Sequence, residues 1–159
     1  MMKTKARIQH LVETYGSGRE NLLPILQHIV REDHFLHSQV LEALAHEMQI
    51  SAADVYGTAS FYSFLETEPR GRHIIRVCKT ISCYMKGKDA LVAAIEDRLK
   101  IRMGETTRDG QFSLLAANCM GWCHKGPAML IDEQVYTELT PEGAVAIIEQ
   151  FMQERRIRA

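Results

Sequence analysis

Several things are scarce in this chain, and each scarcity narrows what it can do. Only four cysteines, one tryptophan and four prolines occur among 159 residues. Charge of either sign is not in excess: 20 acidic residues face 19 basic ones, for a formal charge of -1. That balance lacks the electrostatic footprint of a nucleic-acid binder, and no nucleic-acid partner is expected. No run approaches the roughly 18 uncharged apolar residues that cross a bilayer. The most apolar windows are Leu114 to Cys123 and Asp89 to Ile95, so direct membrane insertion is not expected and any membrane association would come through partners. Neither a Gly-x-Gly-x-x-Gly motif nor a P-loop is present, which leaves a nucleotide site without support. The opening Met1-Met2-Lys3-Thr4-Lys5 has no apolar signal core or cleavage site, and a cytoplasmic protein is expected. Internal repeats and low-complexity segments are absent. One short basic run, Arg155, Arg156 and Arg158, reads as the solvated end of a helix, where the dipole favours cations.

What is present is enough apolar content, 46%, to build a core. Up to about Leu65 the apolar residues recur at helical spacing. Ile8, Leu11, Val12 and Tyr15 make one stripe, Leu22 to Val30 a second, and Val40, Leu41, Leu44, Ala45 and Met48 a third. Gly16-Ser17-Gly18 separates the first two helices, Pro24 fits a first helical turn, and Ser38 and Ser51 are expected as N-caps. A fourth segment, Ala52 to Leu65, is dense in aromatics. Tyr56, Phe61, Tyr62 and Phe64 are expected to be mostly core, with some left to cover a partner surface.

Glu66 to Arg72, with Pro69 and Gly71, is the expected boundary, and beyond it the period changes. His73 to Val77 is β-branched and reads as a strand that delivers Cys78. Gly87 to Leu99 reads as a helix with Ala90, Leu91, Ala94, Ile95 and Leu99 inside. Asp109-Gly110 turns the chain into a strand over Gln111 to Ala117, which delivers Cys119. Ala128 to Ile131 and Gln134 to Thr137 are further strands around a turn at Asp132-Glu133, and Thr140-Pro141-Glu142 opens a last helix. The expected fold is α/β (α+β): an N-terminal helical bundle over residues 1–68, then a β-α-β-β-β-α domain over residues 69–159. In a strand-helix-strand unit the two strands run parallel and end at one rim of the sheet. Cys78 and Cys83 should therefore meet Cys119 and Cys123 there, where open α/β sheets bind ligands.

These four cysteines fall as C-x4-C and C-x3-C with none left over. A disulfide framework belongs to small, cysteine-rich secreted chains, so metal binding or redox chemistry is the better reading. Structural zinc uses four thiolates but most often in C-x2-C pairs. A two-iron cluster spreads its ligands, and wider spacings such as C-x4-C suit it. Dithiol chemistry usually runs through C-x-x-C, which neither pair has. The spacing favours iron and sulfide and leaves zinc and dithiol chemistry open. Gly121 allows a tight turn between Cys119 and Cys123, and Gly126-Pro127 fixes the exit of the chain. Lys79, Lys86, His124 and Lys125 lie close to the cysteines in sequence; if they are also close in space, they would favour a reduced, more negative centre.

The order of these stretches resembles the thioredoxin-like [2Fe-2S] ferredoxin family. That family includes the small iron-sulfur subunits of the NADH-oxidising module of respiratory complex I, of NAD-linked hydrogenases and of NAD-dependent formate dehydrogenases. The likeness rests on Val55 to Tyr62, Arg76-Val77-Cys78, Gly104 to Gly110, Cys119 to Cys123 and Leu139 to Glu142, in that order over nearly the whole chain. The resemblance implies a thioredoxin-like second domain and one [2Fe-2S] cluster held by Cys78, Cys83, Cys119 and Cys123, two per iron. It further implies a one-electron carrier, not catalytic alone, docked on an NADH-binding flavoprotein that itself holds FMN and NAD(H), with further iron-sulfur, hydrogenase or formate dehydrogenase subunits beyond. Without that flavoprotein, bare surface would let the isolated chain form a homodimer. A zinc-stabilised structural or assembly module using the same four cysteines is the alternative. The family often has leucine, glycine and alanine between its second pair of cysteines, where this chain has Met120, Gly121 and Trp122. Trp122 would shield the centre from solvent or touch the flavoprotein. Gly104 to Gly110 resembles a phosphate loop in composition, but Asp109-Gly110 makes a hairpin turn the better reading.

Overall fold

The computed structural model describes residues 2–158, and side chains over residues 4–153. The side chains of Arg155, Arg156 and Arg158 lie outside the described residues. The chain divides into two compact units, Met1–Arg70 and Gly71–Ala159.

The first unit is helical: α1 (Met2–Tyr15), α2 (Leu22–Asp33), α3 (Ser38–Met48) and α4 (Ala52–Phe61). Its core takes Ile8, Leu11 and Val12 from α1, Leu22, Ile25, Leu26 and Ile29 from α2, and the five expected residues of α3. These are the positions a 3.6-residue period puts on one face. The helices stop where the backbone turns left-handed, at Gly16 (φ +94°) after α1, His34 (φ +66°) after α2 and Gln49 (φ +55°) after α3. Ser51 caps α4, its hydroxyl accepting the Asp54 N–H at 3.0 Å. Ser38 does not cap α3. His37 takes that place, and its carbonyl accepts the N–H groups of Val40 and Leu41, so Ser38 is already the first helical residue.

The aromatic segment departs most from expectation. Helix α4 ends at Phe61, and Tyr62 is extended. Val55 and Ala59, one turn apart, fill its buried face, which turns Tyr56 and Phe61 outward. Phe61 is 79% exposed, and Tyr62 and Phe64 are exposed too. Leu65 is the buried residue here, held by Leu36 N–H donating to the Glu66 carbonyl at 2.7 Å. Tyr15 is also exposed, its hydroxyl paired with His28 Nδ1 at 3.1 Å.

The second unit carries β1 (His73–Cys78), α5 (Ile81–Met85), α6 (Lys88–Leu99), β2 (Phe112–Ala117), β3 (Met129–Ile131), β4 (Gln134–Tyr136) and α7 (Pro141–Arg158). The sheet order is β2-β1-β3-β4, with β1 parallel to β2 and antiparallel to β3. β1 is central and buried over Ile74 to Cys78, as its run of β-branched residues requires. Ile75 and Val77 pack with Leu91 and Ile95 of α6, Leu114 of β2, Met129 and Ile131 of β3, and Ala144 and Ile148 of α7. Thr140 caps α7 through its hydroxyl, which accepts the Gly143 N–H at 3.1 Å. Residues 104–114 form the expected hairpin, in which Thr107 N–H donates to the Phe112 carbonyl and Gly110 N–H to the Thr107 carbonyl, both at 2.8 Å. Ala90 is exposed on α6 and not inside, and α5 is an element the periodicity did not reveal. No helix among the described residues is long and apolar enough to cross a membrane.

Two glycines give a matched test of packing. A Cβ on Gly71 would meet the Phe112 backbone at 2.7 Å, and Gly71 N–H donates to the buried Ser113 hydroxyl at 2.8 Å. Gly57 sits inside α4 with open space around it. Gly71→Ala is expected to destabilise by about 1–3 kcal/mol. Gly57→Ala should stabilise by roughly 0.5–1 kcal/mol through helix propensity. Urea unfolding of the two variants checks both signs.

Candidate metal centre

Register places the first cysteine. β1 ends on Cys78, opposite Ala117 at the end of β2, and Cys119 follows just beyond. Cys78 N–H donates to the Ala128 carbonyl at 3.2 Å and Lys79 N–H to the Ala117 carbonyl at 2.9 Å, so the exit of β1 is tied to both neighbouring segments. The Thr80 carbonyl then accepts the N–H groups of Cys83 and Tyr84, which starts α5 and brings Cys83 beside Cys78. Both thiols are buried, Cys78 at 2% and Cys83 at 1% exposure, and pack with Ala128 and Met120. Gly126 lies against them: a Cβ there would stand 3.2 Å from Cys83 Sγ.

The second pair faces outward. Cys119 is exposed and Cys123 half-buried, with their sulfurs 3.1 Å apart. Gly121 (φ +88°) makes the turn between them and aims its N–H at Cys119 Sγ, 3.4 Å away. All four cysteines are free of disulfides.

Burial pushes the Cys78 thiol up, but hydrogen bonds from the Thr80 hydroxyl and amide, from Cys83 and from the Met120 amide outweigh it, so Cys78 lies below the ordinary thiol value. Burial raises Cys83, and its hydrogen bond with Cys78 raises it further, against the Ala128 amide. Cys123 is raised by its hydrogen bond with Cys119, against the Ser82 hydroxyl. Charge on Cys123 is felt at Cys83, and charge on Cys78 at Cys123, so the two pairs share one electrostatic neighbourhood. Four thiolates in that space repel one another unless cations sit among them. Among the described residues, no three or more His, Cys, Asp or Glu side chains converge on a position for one metal ion. The sulfurs stand as two adjoining pairs.

Residues 78–88 and 117–127 hold Lys79, Lys86, Lys88 and Lys125, of which Lys88 pairs with Asp89 Oδ1 at 2.6 Å. Lys86 Nζ donates to the His124 carbonyl at 2.8 Å, linking the two cysteine-bearing segments. Trp122 stacks on His124, ring centroids 5.9 Å apart, with its indole partly exposed. The Gly104 to Gly110 hairpin leads into the opposite, N-terminal end of β2 and takes no part. Sequence reasoning missed Thr80, whose hydroxyl reaches Cys78. A hydroxyl residue just before a short apolar run is an ordinary helix-start signal and would have located α5.

Comparison with known proteins matches residues 8–152 to the family described as thioredoxin-like [2Fe-2S] ferredoxin. A subunit of NADH-quinone oxidoreductase from Escherichia coli K12 is 37% identical over 144 residues, 91% of this chain and 87% of that protein. The like-named protein from Pseudomonas aeruginosa is 34% identical over 148 residues, 93% of this chain and 89% of that one. A chain of the air-oxidised NAD+-reducing [NiFe]-hydrogenase matches at TM-score 0.73 and 25% identity, over 84% of this chain but only 23% of its own length.

The difference in burial is directly measurable. In metal-free, reduced full-length protein, Cys119 and Cys123 are expected to react with a thiol reagent at least tenfold faster than Cys78 and Cys83. Time-resolved alkylation with peptide mass spectrometry checks the order, and equal rates for all four would contradict it.

Proposed function

The chain belongs to the thioredoxin-like [2Fe-2S] ferredoxin family, and from that premise we propose that it is an electron-transfer subunit whose Cys78, Cys83, Cys119 and Cys123 hold one [2Fe-2S] cluster. The observation that carries this reading is the meeting of four disulfide-free cysteines, as two adjoining pairs, at the common end of two parallel strands. The donor set is all sulfur, with the backbone N–H of Gly121 and the hydroxyl of Thr80 directed at it, which suits a sulfide-bridged iron pair. When bound, such a cluster takes up and gives back one electron at a time.

The chain's own residues set the surroundings. Cys78 and Cys83 grip from the buried side, where Ala128 and Met120 exclude water. Cys119 and Cys123 grip from the surface side, and the exposure of Cys119 gives a partner a short route to the centre. Lys79, Lys86 and Lys125 favour added negative charge, whereas Lys88 is already paired with Asp89. The partner is an NADH-oxidising flavoprotein that carries FMN and NAD(H), since the relatives are subunits named for NADH oxidation and this chain shows no nucleotide motif. Hydride chemistry then belongs to that partner, within an NADH dehydrogenase, hydrogenase or formate dehydrogenase complex.

Anaerobically purified protein is expected to absorb in the visible, to bleach with dithionite, and to contain two irons and two sulfides per chain. Cys78→Ala or Cys123→Ala should remove most of the iron. NADH should bleach the chain only when the flavoprotein is supplied. A colourless protein with one zinc and no sulfide would overturn the proposal in favour of the structural module.

A further inference from the structure

Thr80 stands at the N-cap of α5, where a threonine hydroxyl ordinarily accepts a backbone N–H of the first turn. Here it makes no such bond. Its Oγ1 instead lies 3.1 Å from Cys78 Sγ. In a thiol either atom can donate, but a metal-bound sulfur has no proton to give, so the hydroxyl must be the donor and the sulfur the acceptor. Thr80 is partly buried, which limits competition from water for this bond.

We propose that Thr80 is a positioning residue that raises the reduction potential of the centre by donating a hydrogen bond to a ligand sulfur. The inference rests on the function proposed above. Adding an electron makes the ligand sulfurs more negative and strengthens any hydrogen bond they accept. A donor therefore stabilises the reduced state more than the oxidised one, and losing it lowers the potential. No proton is transferred; the hydroxyl keeps its hydrogen in both states. The lost helix cap is the structural cost of this arrangement, and a five-residue helix tied down by Lys86 tolerates it.

The test is a redox titration of the full-length cluster-bearing protein, followed by electron paramagnetic resonance. Thr80→Val is expected to lower the ratio of reduced to oxidised protein at a fixed potential by about fivefold, the size of one hydrogen bond. Thr80→Ser should restore the wild-type value. A merely structural role would change stability without moving the potential. If Thr80→Val does not retain the cluster, Thr80→Ala against Thr80→Ser decides the matter. Cluster-bearing variants with an unmoved potential overturn this inference alone. A wild-type chain without iron and sulfide overturns the proposed function and this inference together.

Discussion

The parallel pairing of β1 with β2 is the constraint on which the rest depends. Because Cys78 stands opposite Ala117, both strands run out at the same rim, and residues from distant parts of the sequence become neighbours there. An antiparallel pairing of the same two strands would send the cysteine pairs to opposite ends of the sheet. The pairing is held by burial: β1 is apolar and central, and α6 covers the crossover with Leu91 and Ile95. Fold stability and site assembly are therefore one problem in this unit. Any change that weakens the core beneath β1 also loosens the geometry of the sulfurs.

The rim itself is graded from inside to outside. The first pair of thiols belongs to the core, bedded on Ala128 and closed by Gly126, while the second pair lies on a loop turned by Gly121. Between them runs α5, too short to be stable by itself and fixed by the bonds it makes at its ends. Its outward face shows Ile81, Tyr84 and Met85, exposed at 70%, 53% and 76%, close in sequence to both first-pair cysteines. The centre is thus framed by apolar side chains and lysines, with the Gly121 amide and the Thr80 hydroxyl directed at sulfur.

Much of this is legible in the sequence, for identifiable reasons. Strand β1 announces itself through His73 to Val77, the helices of the first unit through their apolar stripes, and the site through four cysteines with none in excess. Convergence of the cysteines follows from a rule of chain handedness rather than from any single residue. What escapes has weaker local signals. Helix α5 spans barely more than one turn, and its apolar residues at i, i+3 and i+4 face solvent instead of a core, so periodicity has nothing to register against. The rings of α4 escape because hydrophobicity does not say which face is already taken; Val55 and Ala59 take it. Ser38 and His37 differ by one position, and both types of residue enter helices readily.

Three helices of this protein, α2, α3 and α6, end on His34, Gln49 and Lys100, each in the left-handed region at φ between +55° and +66°. Side chains with a Cβ adopt that conformation at a cost of about 1 kcal/mol, which glycine avoids. The chain therefore sits below the thermal tolerance its own architecture permits. That margin lies at helix ends outside the sulfur-bearing rim, where a homologue adapted to heat can claim it without touching the centre.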